Sequence, residues 1–211
     1  MKAPLLIIAL SFALALYFYP SMPERMASHW DASGQVNGYM PKTYALLLMP
    51  AISLVMYGLF LIIPMIDPLR KNIKKFWGYY ENLLTAIIGF MFYIFSATIA
   101  YNLGYGFSMN YLIIPALSVL FYYIGVVMEH ARRNWSIGIR TPWTISDDRV
   151  WKKTHLAAGK VFKASAVMTL FALFPTGFGI FFAIAPIAIG ALALTIYSFL
   201  LYRKYHKTQR T

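Results

Sequence analysis

The sequence predicts an all-α integral membrane protein, a bundle of six transmembrane helices with both termini in the cytoplasm. Composition is the first reason. Of 211 residues, 60% are hydrophobic, 18% aromatic and only 12% charged, and the mean hydropathy is +0.59, which lies outside the usual make-up of a soluble domain. Run length is the second: a helix crossing the bilayer core needs about 20 mostly apolar residues, and the chain offers several such runs between short polar segments. Charge placement is the third. Six spans put all but two of the 19 lysines and arginines on one side, with only Arg25 and Lys42 on the other. The excess of basic residues marks the cytoplasmic side; five spans would leave the basic tail of Arg203, Lys204, Lys207 and Arg210 outside.

The elements follow as one membrane domain, 1–211, in three parts: 1–63, 64–128 and 129–211. Ala3 to Tyr19 is an uncharged run after a single lysine. The aromatics Tyr17, Phe18 and Tyr19 before Pro20 suit an interfacial belt and do not make a small-residue cleavage site, so the run is a first span and not a signal peptide. A polar extracytoplasmic loop, 20–42, follows, with turn chemistry expected at Ala32-Ser33-Gly34 and Asn37-Gly38. Tyr44 to Ile63 is the second span, interrupted by Pro50, which membrane helices tolerate. Between Pro64 and Asn82, Arg70, Lys71, Lys74 and Lys75 stand beside Phe76, Trp77, Tyr79 and Tyr80, the pattern of an interfacial helix: a basic docking patch, or headgroup contact that orients the protein. Leu83 to Tyr101 and Tyr111 to Met128 are the third and fourth spans. Ala164 to Tyr202 carries no charge and is too long for one span, so it divides at Pro175-Thr176-Gly177-Phe178-Gly179. Lys163 snorkels at its start.

Several function classes fall away. A chain with no cysteine has no disulfide, thiol nucleophile, iron–sulfur cluster or cysteine-bound zinc. The net charge of +12 is explained by topology and anionic lipid, so nucleic acid is not an expected partner; the bilayer is. The spans hold almost no ionisable group, unlike ion-coupled transporters. Asp67, Glu81 and Glu129 fall at span ends, where pairing with a nearby cation is expected. No cofactor is implied.

Polar complexity is concentrated in two stretches. The first is the outer loop PSMPERMASHWDASGQVNGYMPK, in which His29, Trp30, Asp31, Gly34, Asn37 and Tyr39 are the candidate binding residues. His29 with Asp31 and Glu24 makes a poor metal pattern, one histidine and two carboxylates at no fixed spacing. His29 and Asn37 satisfying backbone groups, or Trp30 and Tyr39 meeting an external peptide, are the other readings. The second stretch is NWSIGIRTPWTISDDRVWKKTH, on the cytoplasmic side, with Asn134, Gly138, Arg140, Thr141, Pro142, Trp143, Trp151 and His155 as candidates. Arg140 to Trp143 sets a permanent cation, a hydroxyl, a rigid ring and an indole side by side. Ser146 is placed to cap a helix whose positive end Asp147 and Asp148 complement. Trp151, His155, Ala158 and Phe162 then follow at helical spacing, laying an amphipathic turn or two against the membrane. Arg140 either pairs with Asp147 or Asp148 and folds the loop, or is kept for a partner or lipid headgroup.

These two stretches carry a resemblance. NWSIGIRTPWTISDDRVWKKTHLAAG is similar to the signature of the SdpI-like bacterial membrane proteins: an Asn, then Gly-x-Arg-Thr-Pro-x-Thr, a Trp and a Thr-His pair. The outer loop resembles the family's other hallmark, a proline-rich start, a His, then Gly and Gly-Tyr before a Lys, although Trp30-Asp31 stand where the family often has Phe and Asn. The resemblance spans essentially the whole chain. It implies a multi-pass protein of the plasma membrane that gives immunity to a secreted peptide toxin and holds a cytoplasmic repressor at the membrane when toxin is present. It does not imply an enzyme. The alternative from the residues is a membrane enzyme, or a lipid or peptide transporter, using the Arg140 surface as an anion clamp.

Overall fold

The computed structural model describes residues 1–174 and 179–206. It is mostly helical, and six of its helices are long and apolar enough to cross a membrane. These are α1 (Lys2–Phe18, prolonged by a 3-10 turn at Tyr19–Ser21), α2 (Lys42–Ile66), α4 (Trp77–Asn102), α5 (Asn110–His130), α7 (Asp148–Thr169, prolonged by a 3-10 turn at Leu170–Leu173) and α8 (Gly179–His206). Two short helices, α3 (Arg70–Lys74) and α6 (Pro142–Ser146), lie in connections. Without water, a spanning backbone must bond to itself, and the few polar side chains of the spans follow the same rule: the Ser11, Ser96, Thr98 and Thr169 hydroxyls each donate to the carbonyl four residues back. Most residues of the turn expected at Pro175 to Gly179, together with Lys207 and Arg210, lie outside the described residues.

The outer loop is not simply a set of turns. Arg25–Trp30 (β1) and Val36–Pro41 (β2) form an antiparallel hairpin with irregular register between Ala27 and Trp30, so the all-α expectation is corrected at this point. Half-buried and exposed residues alternate along β2, with Tyr39 outward, whereas β1 buries the consecutive Met26 and Ala27 where its register becomes irregular. The proline, glycine and asparagine punctuation that reads as loop bounds and bends the strands instead of excluding them.

One further boundary moves. The expected interfacial helix shrinks to α3, and Trp77, Tyr79 and Tyr80 belong to the first turns of α4. The helix expected to run onward from Asp147 into the fifth span does so: α7 begins at Asp148 and is continuous to Thr169. Lys163 does not snorkel at a helix start. It sits within α7 and pairs with Glu129 of α5 at 2.7 Å.

The α5–α7 seam is the most extensive contact in the bundle. Small residues let it close: a Cβ on Gly125 would stand 2.8 Å from the Gly159 carbonyl oxygen, and the Ser118 hydroxyl donates to the Ala166 carbonyl at 2.7 Å. This register sets Gly159 and Lys163 beside the last turn of α5. Ala158 packs on Met128 in the last turn of α5, and the turns of α7 before it lead toward the basic end of the bundle. The trailing half of α7 belongs to the bundle and the leading half to a polar cap.

Met1 and the end of α8 share that cap. The Met1 amino group pairs with Glu81 in α4, and Ser198 and His206 of α8 meet Thr141 and Asp147. Both described ends of the chain thus lie at the basic end of the bundle, opposite the hairpin, as an even number of spans requires.

Candidate functional site

The basic end is built around the loop between α5 and α6. Asn134, fully buried, donates its amide to the carbonyls of Arg132 and Ile137 (2.7 and 3.0 Å) and accepts from the N–H groups of Ser136 and Ile137 (2.8 and 2.6 Å). All four hydrogen-bonding positions of the amide are used. Asp67, from the α2–α3 connection, holds the same loop from outside. It is 4% exposed and accepts from the Trp135 N–H at 3.0 Å, the Ser136 hydroxyl at 2.6 Å and the Leu69 N–H at 2.7 Å. The expectation that Asp67 pairs with a cation is therefore corrected: hydroxyl and backbone donors satisfy it.

Gly138 then turns the chain with φ +122°, and a side chain there would collide with His155 Nε2. That close approach lets the Ile139 N–H donate to His155 Nε2 at 3.0 Å, while His155 Nδ1 donates to the Trp151 carbonyl at 2.8 Å. His155 is thereby the neutral tautomer with its proton on Nδ1, and both nitrogens are committed. Its ring stacks on Trp151 (centroids 3.9 Å apart), whose indole N–H donates to the Ala131 carbonyl at 2.9 Å. Trp151, His155 and Ala158 are all buried. The face expected to lie on the membrane is turned inward instead, against Ile73, Phe76 and Tyr80, because indole and imidazole find their partners there.

Thr141 caps α6, its hydroxyl accepting from the Thr144 N–H while the Thr144 hydroxyl accepts from the Thr141 N–H, a reciprocal capping box. The Thr141 hydroxyl also meets that of Ser198 at 3.0 Å, and Trp143 packs on Phe199. The cap of α7 is Asp147, not Ser146, whose hydroxyl instead bonds back to the Pro142 carbonyl. Arg149 holds the Asp147 carboxyl down at about 2 through a side-chain hydrogen bond, helped by the Arg149 and Val150 N–H groups. Asp148 pairs with Arg133 at 2.9 Å.

Arg140 pairs with neither aspartate, contrary to the folding role weighed for it: both carboxylates are taken by other arginines. It is exposed and gives one N–H to the Trp135 carbonyl at 2.8 Å. With Trp135, Thr141, Pro142, Ile145 and Ser146 it lines an open cavity of about 570 Å³.

At the opposite end the hairpin is latched to the bundle twice. Asn102, in the last turn of α4, accepts from the Ala27 N–H at 2.7 Å and donates to the Ala27 carbonyl at 3.0 Å. Asn110, opening α5, donates to the Ala32 carbonyl at 3.0 Å. Asp31 folds the tip by accepting from the Ser33 hydroxyl and from the N–H groups of Ser33 and Gln35, and these bonds, the Ser33 hydroxyl first, lower its pKa. Gly34 takes φ +83° at the turn. His29 Nδ1 lies 2.5 Å from Asn37 Oδ1, so the two bond each other and not the backbone. Trp30 stands edge-on to Tyr101, whereas Tyr39 is 56% exposed. Glu24 pairs with Lys42, and among the described residues no three histidine, aspartate or glutamate side chains stand together as a metal site.

Comparison with known proteins places both stretches. Residues 6–54, which include the hairpin, match a domain of unknown function (DUF1648). Residues 130–198 match the SdpI/YfhL protein family, a range that holds the whole Asn134–His155 stretch and ends on Ser198, the partner of Thr141. Over 204 residues the chain is 27% identical to the Immunity protein SdpI of Bacillus subtilis (strain 168), covering 96% of this chain and 94% of that one. The chain is SdpI-like. No solved structure matches it.

Within this SdpI-like chain, the signature residues divide by role. Asn134, Gly138, Thr141, Trp151 and His155 are brought together as the framework of the loop, with Trp143 fixed on α8. Arg140 and Pro142 face the open cavity. At the hairpin, Asp31 and Gly34 set the turn, while Asn37 and Gly38, expected in a turn, stand in β2, where Asn37 bonds His29; of the large aromatics only Tyr39 is presented outward. The sequence reading missed Asp67, Asn102, Asn110 and Ser198, the residues that tie each polar stretch to the spans. A lone aspartate before Pro68 and asparagines at both ends of an otherwise uncharged connection were the available signals.

Proposed function

We propose that this chain is a plasma-membrane immunity protein that protects its cell against a secreted peptide toxin, with the hairpin outside and the Arg140 surface in the cytoplasm. The observation that carries this is the similarity to an immunity protein along 96% of the chain. The layout supports it. Polar complexity sits at the two ends, the hairpin presents Tyr39 (56% exposed) on a latched platform, and the apolar spans suit a receptor better than an ion-coupled pump. On the inner side, the cavity beside Arg140 and the half-exposed Trp135 offer a cytoplasmic repressor a cation with open donors and an aromatic wall, the residue types that anchor protein interfaces. The alternative of an enzyme or transporter on the Arg140 surface is not favoured, because the histidine and threonines beside it are committed to holding the loop.

Survival tests this reading. A sensitive host expressing the chain should outlive its parent when challenged with secreted peptides from neighbouring cells. Tyr39→Ala and His29→Ala should remove protection at normal membrane abundance, while Arg140→Ala and Trp135→Ala should remove recruitment of the repressor. No protection against any peptide, or loss of both outputs in step with abundance in every variant, would overturn it.

A further inference from the structure

Beside the cap, and away from Arg140, a second cleft opens where α3, α4, α5 and α7 meet. Lys75 after α3, His130 and Arg132 at the end of α5, and Lys152 of α7 line it, over a floor of Phe76, Tyr79 and Leu156. Lys75, Arg132 and Lys152 are exposed, and among the described residues none of the three is in an ion pair. The one carboxylate in the wall, Glu129, is already paired with Lys163 at 2.7 Å. His130 is fixed by stacking on Tyr79 and by its Nδ1 bond to the Val126 carbonyl, which turns Nε2 away from its own helix. The pocket therefore gathers three cations from separate elements around a space of about 220 Å³, with no free anion to neutralise them.

The space does not end there. Lys75, Phe76 and Tyr79 also line a groove of about 500 Å³ that continues along the start of α4 past Lys74, Trp77, Gly78 and Asn82. A Cβ on Gly78 would meet nothing within 4 Å, so the groove is open there. It runs from the polar cap onto a span, with Trp77 and Tyr79 at the depth where amphipathic aromatics mark the headgroup level. A soluble anion would need only the pocket. A phosphate carried on acyl chains would use the pocket for its headgroup and the groove for its descent into the bilayer.

We propose that this cleft is a binding site for an anionic phospholipid, with Lys75, Arg132 and Lys152 holding the headgroup phosphate and the Trp77–Asn82 groove taking the start of the acyl chains. The bound lipid would tie α4, α5 and α7 together at the edge of the cap, independently of any toxin or repressor.

Native mass spectrometry of the full-length protein in detergent, titrated with dioleoyl phosphatidylglycerol or dioleoyl phosphatidylcholine, tests this directly. Phosphatidylglycerol should bind preferentially. Replacing Lys75, Arg132 and Lys152 together by Gln should weaken it about a hundredfold, taking about fivefold for each basic residue beside an anionic lipid. The control of equal charge, Arg70→Gln with Lys71→Gln and Lys204→Gln, changes exposed cations outside the cleft and should leave the site intact. Gly78→Leu fills the groove without altering charge and should also weaken lipid binding, which keeps the test decisive if the triple variant does not fold. Equal binding of both lipids, or equal loss in the cleft and control variants, would overturn the proposal. So would displacement of phosphatidylglycerol by an equal concentration of inorganic phosphate, which would identify a free-anion pocket.

Discussion

At the scale of single residues, the cap is stabilised by groups whose chemistry leaves little freedom to substitute. Gly138 combines φ +122° with direct contact between its backbone and the His155 ring. Gly138→Ala should cost about 1–3 kcal/mol from backbone strain alone, and more as the Ile139–His155 bond is pushed apart; thermal unfolding in detergent will read it. Arg140→Lys should change stability by less than about 1 kcal/mol, since only one exposed hydrogen bond is lost, while weakening the repressor recruitment proposed for this surface, because the planar fork is gone. An unfolding temperature lowered as far as that of Gly138→Ala would make Arg140 part of the framework. Asp147 predicts a pH dependence. Its folded pKa of about 2 lies below the ordinary 3.8, so as the pH falls the unfolded chain takes up the proton first. The stabilisation is complete above about pH 4, is lost as pH falls toward about 2, and amounts to roughly 2 kcal/mol. Asp147→Asn should flatten that acid limb of the unfolding temperature; an unchanged limb would assign it to other carboxylates.

At the scale of elements, the decisive contact is the α5–α7 seam. In a bilayer the helices gain little from apolar burial, so close approach across small residues matters most. Gly125→Leu would drive a side chain into the Gly159 carbonyl and Lys163, 2.8 and 2.9 Å from the Cβ position, and should lower the unfolding temperature sharply. Gly89→Leu, where a Cβ meets nothing within 4 Å, should be tolerated; similar losses in the two would show that any bulk in a span is harmful. The hairpin is held through backbone bonds to Asn102. Asn102→Ala should raise amide exchange at Ala27 and its neighbours while leaving the bundle's unfolding temperature nearly unchanged. The sequence reading expected turns in this loop because Pro, Gly and Asn mark its boundaries. The strands depend on a partner side chain in α4, 75 residues away from Ala27, which no local pattern carries.

At the scale of the whole molecule, the prediction is orientation. Met1, the cap and the end of α8 share one end of the bundle, with Arg25 and Lys42 at the other, so one labelling experiment decides the compartments. The chain has no cysteine, and Ser33→Cys and Ser146→Cys introduce single thiols at opposite ends. An impermeant maleimide added to intact cells should label the first and not the second. Labelling of Ser146→Cys alone would invert the protein in the membrane, and labelling of both from outside would break the six-span arrangement.

The number of apolar runs long enough to span and the likeness of the Asn134–His155 stretch to the SdpI/YfhL protein family were determined by the sequence alone. Apolar run length is a local property, and a bilayer imposes the same length requirement on every helix. The pairing of Lys163 with Glu129, the inward turn of Trp151 and His155, and the release of Arg140 from both aspartates were decided only in three dimensions. Burial and hydrogen bonding depend on which distant groups the packed helices bring into reach: Asp67 meets Ser136 across 69 positions of chain and Thr141 meets Ser198 across 57. Spacing along the chain identifies the residues that must be satisfied, and the packing of the helices selects the groups that satisfy them.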